Sequence, residues 1–412
     1  MSLQFITGGS GAGKSEYLSR LVCEESVRRP HDNFIVVVPE QYTMETQKKL
    51  VHMHSRKGIL NIDVVSFERL AYKVFEELGG GNRPVLDDTG KNLIVRRVLE
   101  KEKKKLDYFG SSIEKTGFVS ELKSVISELL QYGITPQQLG EIGENVKEKQ
   151  QLSAKLKDIR LVYEEFMAFL STNYITSEEI LDVLCGLVEK SKLIAGSEII
   201  FDGFTGFTPI QYKLMRLLLV YSKGIKISVT IDKKERPTGH EGWNNLFFMS
   251  KEMMNRLIAI CEEEGINVDD TVCVDRDINY RYEGAKDLAY LERNLFRYKG
   301  GVYTGTPENI RIYEGSNPKE ELQYIVSEIL QLTRKEGFRY RDIAVVTADL
   351  ETYGKVAANM MKQNDIPAFL DYKRSVASNP YVEMLCSALE IVEKGYPYDT
   401  MFRYLRTGLT GI

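Results

Sequence analysis

The sequence predicts an α/β protein with a parallel sheet, a phosphate-binding loop at its start and an all-helical insertion. Three observations support this fold class. A glycine-rich loop, Gly8–Ser15, stands between an apolar run and a helical pattern. Continuous apolar runs such as Asn33–Val38 are typical of strands buried on both faces of a parallel sheet. Strand and helix patterns alternate along the chain, except between residues 86 and 195, where helical periodicity replaces them.

The loop has the full pattern G-x-x-x-x-G-K-S. Its residues are Gly8, Gly9, Ser10, Gly11, Ala12, Gly13, Lys14 and Ser15. Glycines allow successive backbone N–H groups to face a phosphate, and the helix that follows adds the positive end of its dipole. Lys14 is placed to reach the β- and γ-phosphates and Ser15 to ligate Mg²⁺. The pattern predicts an ATP·Mg²⁺ site, and a purely structural glycine turn is the alternative.

The remaining strands of the sheet follow in order. Ile59–Val65 precedes an amphipathic helix that starts at Phe67, and Glu198–Phe201 is an apolar strand that ends in Asp202. Ile225–Ile231 is a further core strand. In phosphate-loop proteins a carboxylate in the place of Asp202 holds the water shell of Mg²⁺. We therefore expect the strand before Asp202 to lie beside the first strand.

The helical insertion begins after the break at Gly79–Pro84. Apolar residues recur with a period of 3.6 in two runs, and Thr135-Pro136-Gln137-Gln138 predicts a capped helix start. The basic cluster Lys101, Lys103, Lys104 and Lys105 near Arg96 and Arg97 is a candidate contact for a phosphate backbone. A solvated helix face is the more common role of such a run.

A second α/β unit is predicted near the end of the chain. Ile310–Tyr313 and Asp342–Thr347 have strand patterns, and a helix is predicted between them over Pro318–Arg334. The resulting domain division is residues 1–85 and 196–290 for the first α/β domain, 86–195 for the insertion and 291–412 for the start of the second. We expect the chain to be a fragment of something longer.

Composition narrows the class of protein. The chain has 412 residues, 43% of them hydrophobic, and a formal net charge of −4, which gives no global electrostatic argument for nucleic-acid binding. It has neither a long uncharged apolar stretch nor a signal-peptide pattern, so we expect a cytoplasmic protein without membrane contact. The five cysteines are scattered and contain no C-x-x-C pair, so no metal or disulfide framework is predicted.

These residues resemble the superfamily-one DNA helicases of the UvrD/Rep kind, whose motor domains are RecA-like. Within them the chain is most similar to the AddB-type, or RexB-like, subunit of bacterial ATP-dependent helicase–nucleases. The loop Gly8–Ser15 corresponds to the first helicase motif, and Val36–Tyr42 resembles a segment that AddB-type proteins share. Asp202 to Gln211 has the aspartate, proline and glutamine spacing of the second motif, so the resemblance implies ATP contact for Gln211. Ile343–Pro367 is similar to the opening of the second motor domain.

The resemblance also implies a DNA-binding segment and a partner. Asp63–Ala71 is similar to the family's region against single-stranded DNA, which makes Ser66, Phe67 and Arg69 candidate DNA contacts. The family implies a heterodimer with an AddA-type helicase–nuclease subunit, acting on single-stranded DNA and duplex ends in double-strand-break repair and recombination. An iron–sulfur cluster and a nuclease domain are implied only for the family's C-terminal part, which these residues do not include.

Several departures from the helicase pattern predict a degenerate motor. Asp202-Gly203 stands where active motors have Asp-Glu, and that glutamate polarises the attacking water. The third motif is replaced by Thr230–Lys234, and Thr347-Ala348 stands where an arginine is usual. We expect a site that holds ATP and hydrolyses it poorly. Two alternatives remain open, a phosphate-loop kinase of small metabolites and a DNA-binding scaffold with a vestigial ATP site.

Overall fold

A computed structural model of the chain comprises two compact units, Met1–Asn309 and Ile310–Ile412. The structure describes all residues except 80–83, 114, 116, 147–148, 177–178, 236–241, 298–300, 372–375, 377–378 and 412. The first unit is an α/β structure with a seven-stranded parallel sheet, as the sequence predicts. No helix in the described part of the chain is both long enough and apolar enough to cross a membrane.

The sheet of the first unit is built from strands that come from both ends of the unit. Its strands are β1 (Ser2–Gly8), β2 (Asn33–Val37), β3 (Ile62–Val65), β6 (Ser197–Phe201), β7 (Gly224–Thr230), β8 (Asn267–Val268) and β9 (Val272–Cys273). A separate two-stranded parallel pair is formed by β4 (Val85–Leu86) and β5 (Ile175–Thr176). The order is β3-β2-β6-β7-β1, and β8 and β9 both pair with the free side of β1.

The strand order corrects one expectation. β7 lies between β1 and β6, so the strand before Asp202 is not the neighbour of the first strand. Sequence patterns identify strands, but the order of parallel strands depends on where each crossover returns to the sheet. The carboxyl ends still meet at one edge, because Phe201 pairs with Ile227 and Gly8 pairs with Thr230. Asp202 and the loop after Gly8 therefore share that edge.

Helices cover both faces of this sheet, which explains the continuous apolar runs. Alternate residues of β2 face opposite sides, so that Phe34 and Val36 pack in one core cluster and Ile35 and Val37 in the other. The helices of this part are α1 (Lys14–Arg28), α2 (Thr43–Met53), α3 (Phe67–Leu78), α8 (Ile180–Cys185), α9 (Lys192–Ala195), α10 (Pro209–Tyr221), α11 (Phe248–Glu264) and α12 (Lys286–Asn294).

The helical insertion has its own core. Its helices are α4 (Asp88–Glu102), α5 (Phe118–Gln131), α6 (Pro136–Asn145) and α7 (Gln150–Asn173). Buried apolar side chains of α4, α5 and α7 form one cluster that includes Val95, Ile126 and Phe166. The predicted start of α6 is confirmed, because the Thr135 and Gln138 side chains form a reciprocal capping box around Pro136.

The second unit contains α13 (Pro318–Lys335), α14 (Leu350–Gln363), α15 (Pro380–Lys394) and α16 (Tyr398–Arg406). The strands predicted at Ile310–Tyr313 and Asp342–Thr347 are not found among the described residues of this unit. A strand exists only when a neighbour shares its backbone hydrogen bonds, and neither segment has such a ladder. Ile312 and Val346 are accordingly 94% and 92% exposed, although their apolar pattern is that of a buried strand.

Candidate nucleotide-binding site

The glycine-rich loop has the predicted setting of strand, loop and helix. β1 ends at Gly8, and α1 begins at Lys14. Gly11 and Gly13 have φ angles of 71° and 93°, in the left-handed region that favours glycine. A Cβ atom on Gly11 would also lie 2.4 Å from Arg281 Cβ, which leaves no room for a side chain there. Glycine at these two positions therefore follows from the backbone shape of the loop.

The ammonium group of Lys14 is held by the loop itself. Lys14 Nζ donates hydrogen bonds to the carbonyl oxygens of Gly8 and Gly9, at 2.8 Å and 2.9 Å. Burial lowers the pKa of Lys14, and the negative charge of Asp202 is the largest influence in the opposite direction. Lys14 therefore lies over the start of the loop, where it can exchange these carbonyl partners for phosphate oxygens.

The carboxylate of Asp202 is fixed by the intervening strand. Asp202 Oδ1 accepts a hydrogen bond from the Ser228 hydroxyl of β7 at 2.6 Å, and the same hydroxyl accepts from the Gly203 backbone N–H at 3.3 Å. Its negative charge acts on Lys14 across the site. Ser15, the other predicted Mg²⁺ ligand, is exposed on the first turn of α1. Hard oxygen donors of this kind suit Mg²⁺.

The residue after Asp202 has an unusual backbone. Gly203 has a φ of 84°, and a Cβ atom there would lie 3.5 Å from Pro39 Cδ. A glutamate with this φ would be strained by about 1–2 kcal/mol, because its Cβ crowds the following carbonyl oxygen. The departure from Asp-Glu is thus accompanied by a main-chain conformation that favours glycine.

Three residues outside the predicted site lie against the loop. Asn279 Nδ2 donates to the Ser10 carbonyl oxygen at 3.2 Å, and Arg281 Nη1 donates to the Ser10 hydroxyl at 3.2 Å. The Tyr280 ring lies 3.3 Å from where a Cβ on Gly13 would be. The sequence predictions did not include these residues, since Asn279 follows Ser10 by 269 positions and only the fold brings the segment back.

A polar cavity of about 270 Å³ opens beside Gly9. Four acidic and four basic side chains contribute to its lining. Arg297 bridges Asp232 and Glu235, which hold its guanidinium at 3.0 Å and 3.2 Å. Asp275 Oδ2 accepts from the Lys233 backbone N–H at 3.0 Å. A cavity lined by charged side chains therefore lies beside the loop.

Gln211, the predicted ATP contact, has a local partner. Its Oε1 accepts a hydrogen bond from the Thr208 backbone N–H at 2.9 Å, as part of the capping box that starts α10. None of the described contacts joins Gln211 to the loop. The aspartate, proline and glutamine spacing thus corresponds here to a capped helix behind Asp202.

The three predicted DNA contacts have different surroundings. Ser66 caps α3 by accepting from the Arg69 backbone N–H, and Phe67 is only 7% exposed within a cluster of aromatic rings. Arg69 is exposed and its guanidinium lies 2.8 Å from Glu40. Of these side chains Arg69 alone is presented to solvent, so it is the one that a DNA strand could contact without rearrangement of the core.

The basic cluster of the insertion is partly neutralised. Lys101 pairs with Glu165 at 2.5 Å, and Lys105 pairs with Glu102 at 2.6 Å. Lys103 also has an interaction partner. Two of the four lysines are therefore paired with carboxylates of the insertion itself.

Comparison with known proteins identifies the family of the chain. The family model described as "ADDB, N-terminal" matches residues 5–292. Relatives whose names give them as the B subunit of an ATP-dependent helicase/deoxyribonuclease match the whole chain, with 42% identity in Lachnoclostridium phytofermentans and 36% in Caldanaerobacter subterraneus subsp. tengcongensis. The Clostridioides difficile relative of the same name is also 36% identical. The chain spans 36%, 35% and 36% of the length of these three relatives. The family model, which covers more than half of the chain, and these relatives together show that the chain belongs to the AddB-type subunits.

Proposed function

We propose that the first unit binds ATP·Mg²⁺ and that the chain is the motor-like part of a helicase–deoxyribonuclease subunit. One observation supports this proposal most strongly. Lys14 and Asp202 lie at the same edge of the sheet, and the negative charge of Asp202 acts on the Lys14 ammonium group. In this account the loop N–H groups and Lys14 bind the β- and γ-phosphates. Ser15 ligates Mg²⁺ directly, and Asp202 holds its water shell.

Two residues found only in the structure extend this site. Arg281 adds a second positive charge next to Ser10, where phosphate charge would lie. Tyr280 is 59% exposed and is stacked by Arg276, whose guanidinium carbon lies 4.1 Å from the ring centroid. An exposed aromatic ring beside a phosphate loop suits stacking on a nucleotide base. We assign Arg281 to the phosphates and Tyr280 to the base.

Slow hydrolysis is part of the same proposal. Gly203 leaves the site without the glutamate that would polarise an attacking water. The role would then be to hold a nucleotide and a DNA strand beside an active AddA-type partner during the processing of DNA ends. The names of the relatives, which describe one component of a helicase and deoxyribonuclease, support such a shared role.

Titration with Mg·ATP tests the nucleotide site. Lys14→Ala is expected to weaken binding at least tenfold, because it removes a charge-assisted contact to the phosphates. Lys49→Ala is the matched control, since that lysine is on α2 and pairs with Glu16. Equal affinity of the wild type and Lys14→Ala would contradict the assignment. Titration with a single-stranded oligonucleotide at several salt concentrations tests DNA binding, which should weaken as salt rises.

A further inference from the structure

An acidic side chain already lies against the start of the loop. Glu292 is on α12, and a Cβ atom on Gly9 would lie 3.3 Å from Glu292 Oε1. Gly9 and Glu292 also line the same polar cavity beside the loop. Backbone N–H groups of such a loop are the donors that a bound phosphate uses. A carboxylate of the protein therefore lies beside the loop to which a phosphate would bind.

Most of the charged groups that act on Lys14 are negative. Three carboxylates, those of Asp202, Asp275 and Glu292, act on the Lys14 ammonium, whereas Arg281 is the cation that acts on it in the described part of the chain. Asp202 is explained by its proposed role at Mg²⁺, because this ion needs oxygen donors. Asp275 and Glu292 add negative charge beside Gly9 that a triphosphate would have to approach.

Burial and two neighbouring carboxylates disfavour the negative charge of Glu292. Burial raises the pKa of Glu292, and the nearby Asp275 and Asp232 raise it further, while the Ser10 N–H and Arg293 act in the opposite direction. Glu292 is therefore one of several negative charges that lie together beside the loop.

We propose that the negative charge of Glu292 repels the nucleotide phosphates and thereby lowers the affinity of the site for ATP. A triphosphate bound in the loop brings its own negative charge close to Glu292, whose Oε1 lies 3.3 Å from the position of a Cβ on Gly9. This inference rests on the proposed ATP site and adds to it the residue that sets its affinity.

The test is Mg·ATP titration of Glu292→Gln in the full chain. This variant keeps the size of the side chain and removes its charge, so the dissociation constant is expected to fall about tenfold. The advantage over the wild type should shrink as salt is added, because mobile ions screen the repulsion between the carboxylate and the phosphates. Glu292→Ala is a second variant with the same expected direction, and thermal melting checks that both are folded.

Glu262→Gln is the matched control. Glu262 is exposed near the end of α11, which leads into β8, and β8 pairs with Ser2 at the edge of the sheet opposite the loop. This variant loses the same charge and should bind ATP as the wild type does.

The outcomes separate the two proposals. If the wild type binds ATP, Lys14→Ala does not, and both Glu292 variants bind no more tightly than the wild type, the role of Glu292 is wrong and the ATP site stands. If neither the wild type nor either Glu292 variant binds ATP, the proposed function itself fails. Tight binding only after removal of the Glu292 charge would support both.

Discussion

At the scale of single residues, the site is defined by a few side chains whose positions depend on the main chain. Lys14 bonds to the carbonyl oxygens of its own loop, and Asp202 is held by a serine of the neighbouring strand. Spacing in the sequence was sufficient to identify both residues as candidates, because the motif and the strand end are local features. Asn279, Tyr280 and Arg281 could not be predicted in this way, since no local pattern relates them to the loop.

Substitution of Gly203 tests whether the missing glutamate alone explains the slow ATP hydrolysis that we propose. Gly203→Glu restores the missing carboxylate but places it on a backbone with a φ of 84°. We expect the variant to lose about 1 kcal/mol of unfolding free energy and to gain no more than a few-fold in ATP turnover. Urea unfolding and a steady-state ATPase assay measure the two effects.

Gly206→Ala is the control for this experiment, because Gly206 follows on the same loop without a positive φ. A Cβ on Gly206 would meet only Met249 Cε at 3.7 Å, an ordinary contact. A rise in turnover of about a hundredfold or more in Gly203→Glu would contradict the account of a degenerate motor.

At the scale of elements, two buried aspartates fix segments that have little secondary structure. Asp158 on α7 is 1% exposed and accepts hydrogen bonds from three successive backbone N–H groups, those of Asp107, Tyr108 and Phe109. Oδ2 alone accepts the last two. This carboxylate ties the segment after α4 to the longest helix of the insertion.

Asp158→Asn should destabilise the insertion. The amide can replace one oxygen as an acceptor, but its NH₂ group would face backbone donors, which leaves buried N–H groups without partners at a cost of about 2–4 kcal/mol. Asp107→Asn is the matched control, since its side chain is exposed and pairs with Lys157 at the surface, where such pairs contribute about 0–1 kcal/mol. Equal unfolding midpoints for the two variants in urea would refute this role of Asp158.

Asp287 at the start of α12 predicts a pH dependence. It accepts from the backbone N–H groups of Glu308 and Asn309 at 3.0 Å and 2.7 Å. The hydrogen bond from Asn309 is the main reason why its pKa falls to about 2. Because the folded pKa is below the unfolded one, this stabilisation is present above about pH 4 and is lost as pH falls towards 2.

The measurement is the urea midpoint of the wild type and Asp287→Asn at neutral pH and near pH 3. The variant should unfold at lower urea at neutral pH, and the difference should diminish in acid. Asp270→Asn, at an exposed aspartate of the same unit, should match the wild type at both pH values. A difference that grows in acid would show that the sign of the linkage is wrong.

The elements also show what sequence patterns can and cannot predict. Apolar runs correctly indicated β2, β6 and β7, because burial on both faces of a sheet leaves a clear signature. The same pattern gave a wrong prediction of strands at Ile310–Tyr313 and Asp342–Thr347, where no neighbouring strand completes a ladder among the described residues. Period and composition describe one segment at a time, whereas strand order and strand pairing depend on a second segment.

At the scale of the whole molecule, all described contacts of the candidate nucleotide site lie in Met1–Asn309. The loop, Asp202, the Asn279–Arg281 segment and Glu292 belong to this unit, and the family model covers most of it. The chain spans about a third of the length of these relatives. The proposed role of the site is to hold a nucleotide that is hydrolysed slowly.

A crystal structure of the chain with Mg²⁺ and a non-hydrolysable ATP analogue would test the proposed site most directly. We expect the β- and γ-phosphates within the Gly8–Ser15 loop, with Mg²⁺ about 2.1 Å from Ser15 Oγ and linked to Asp202 through water. We also expect Lys14 to exchange its bonds to Gly8 and Gly9 for bonds to phosphate oxygens. A nucleotide bound elsewhere, or a metal with no link to Asp202, would show that the loop and Asp202 do not form an ATP·Mg²⁺ site.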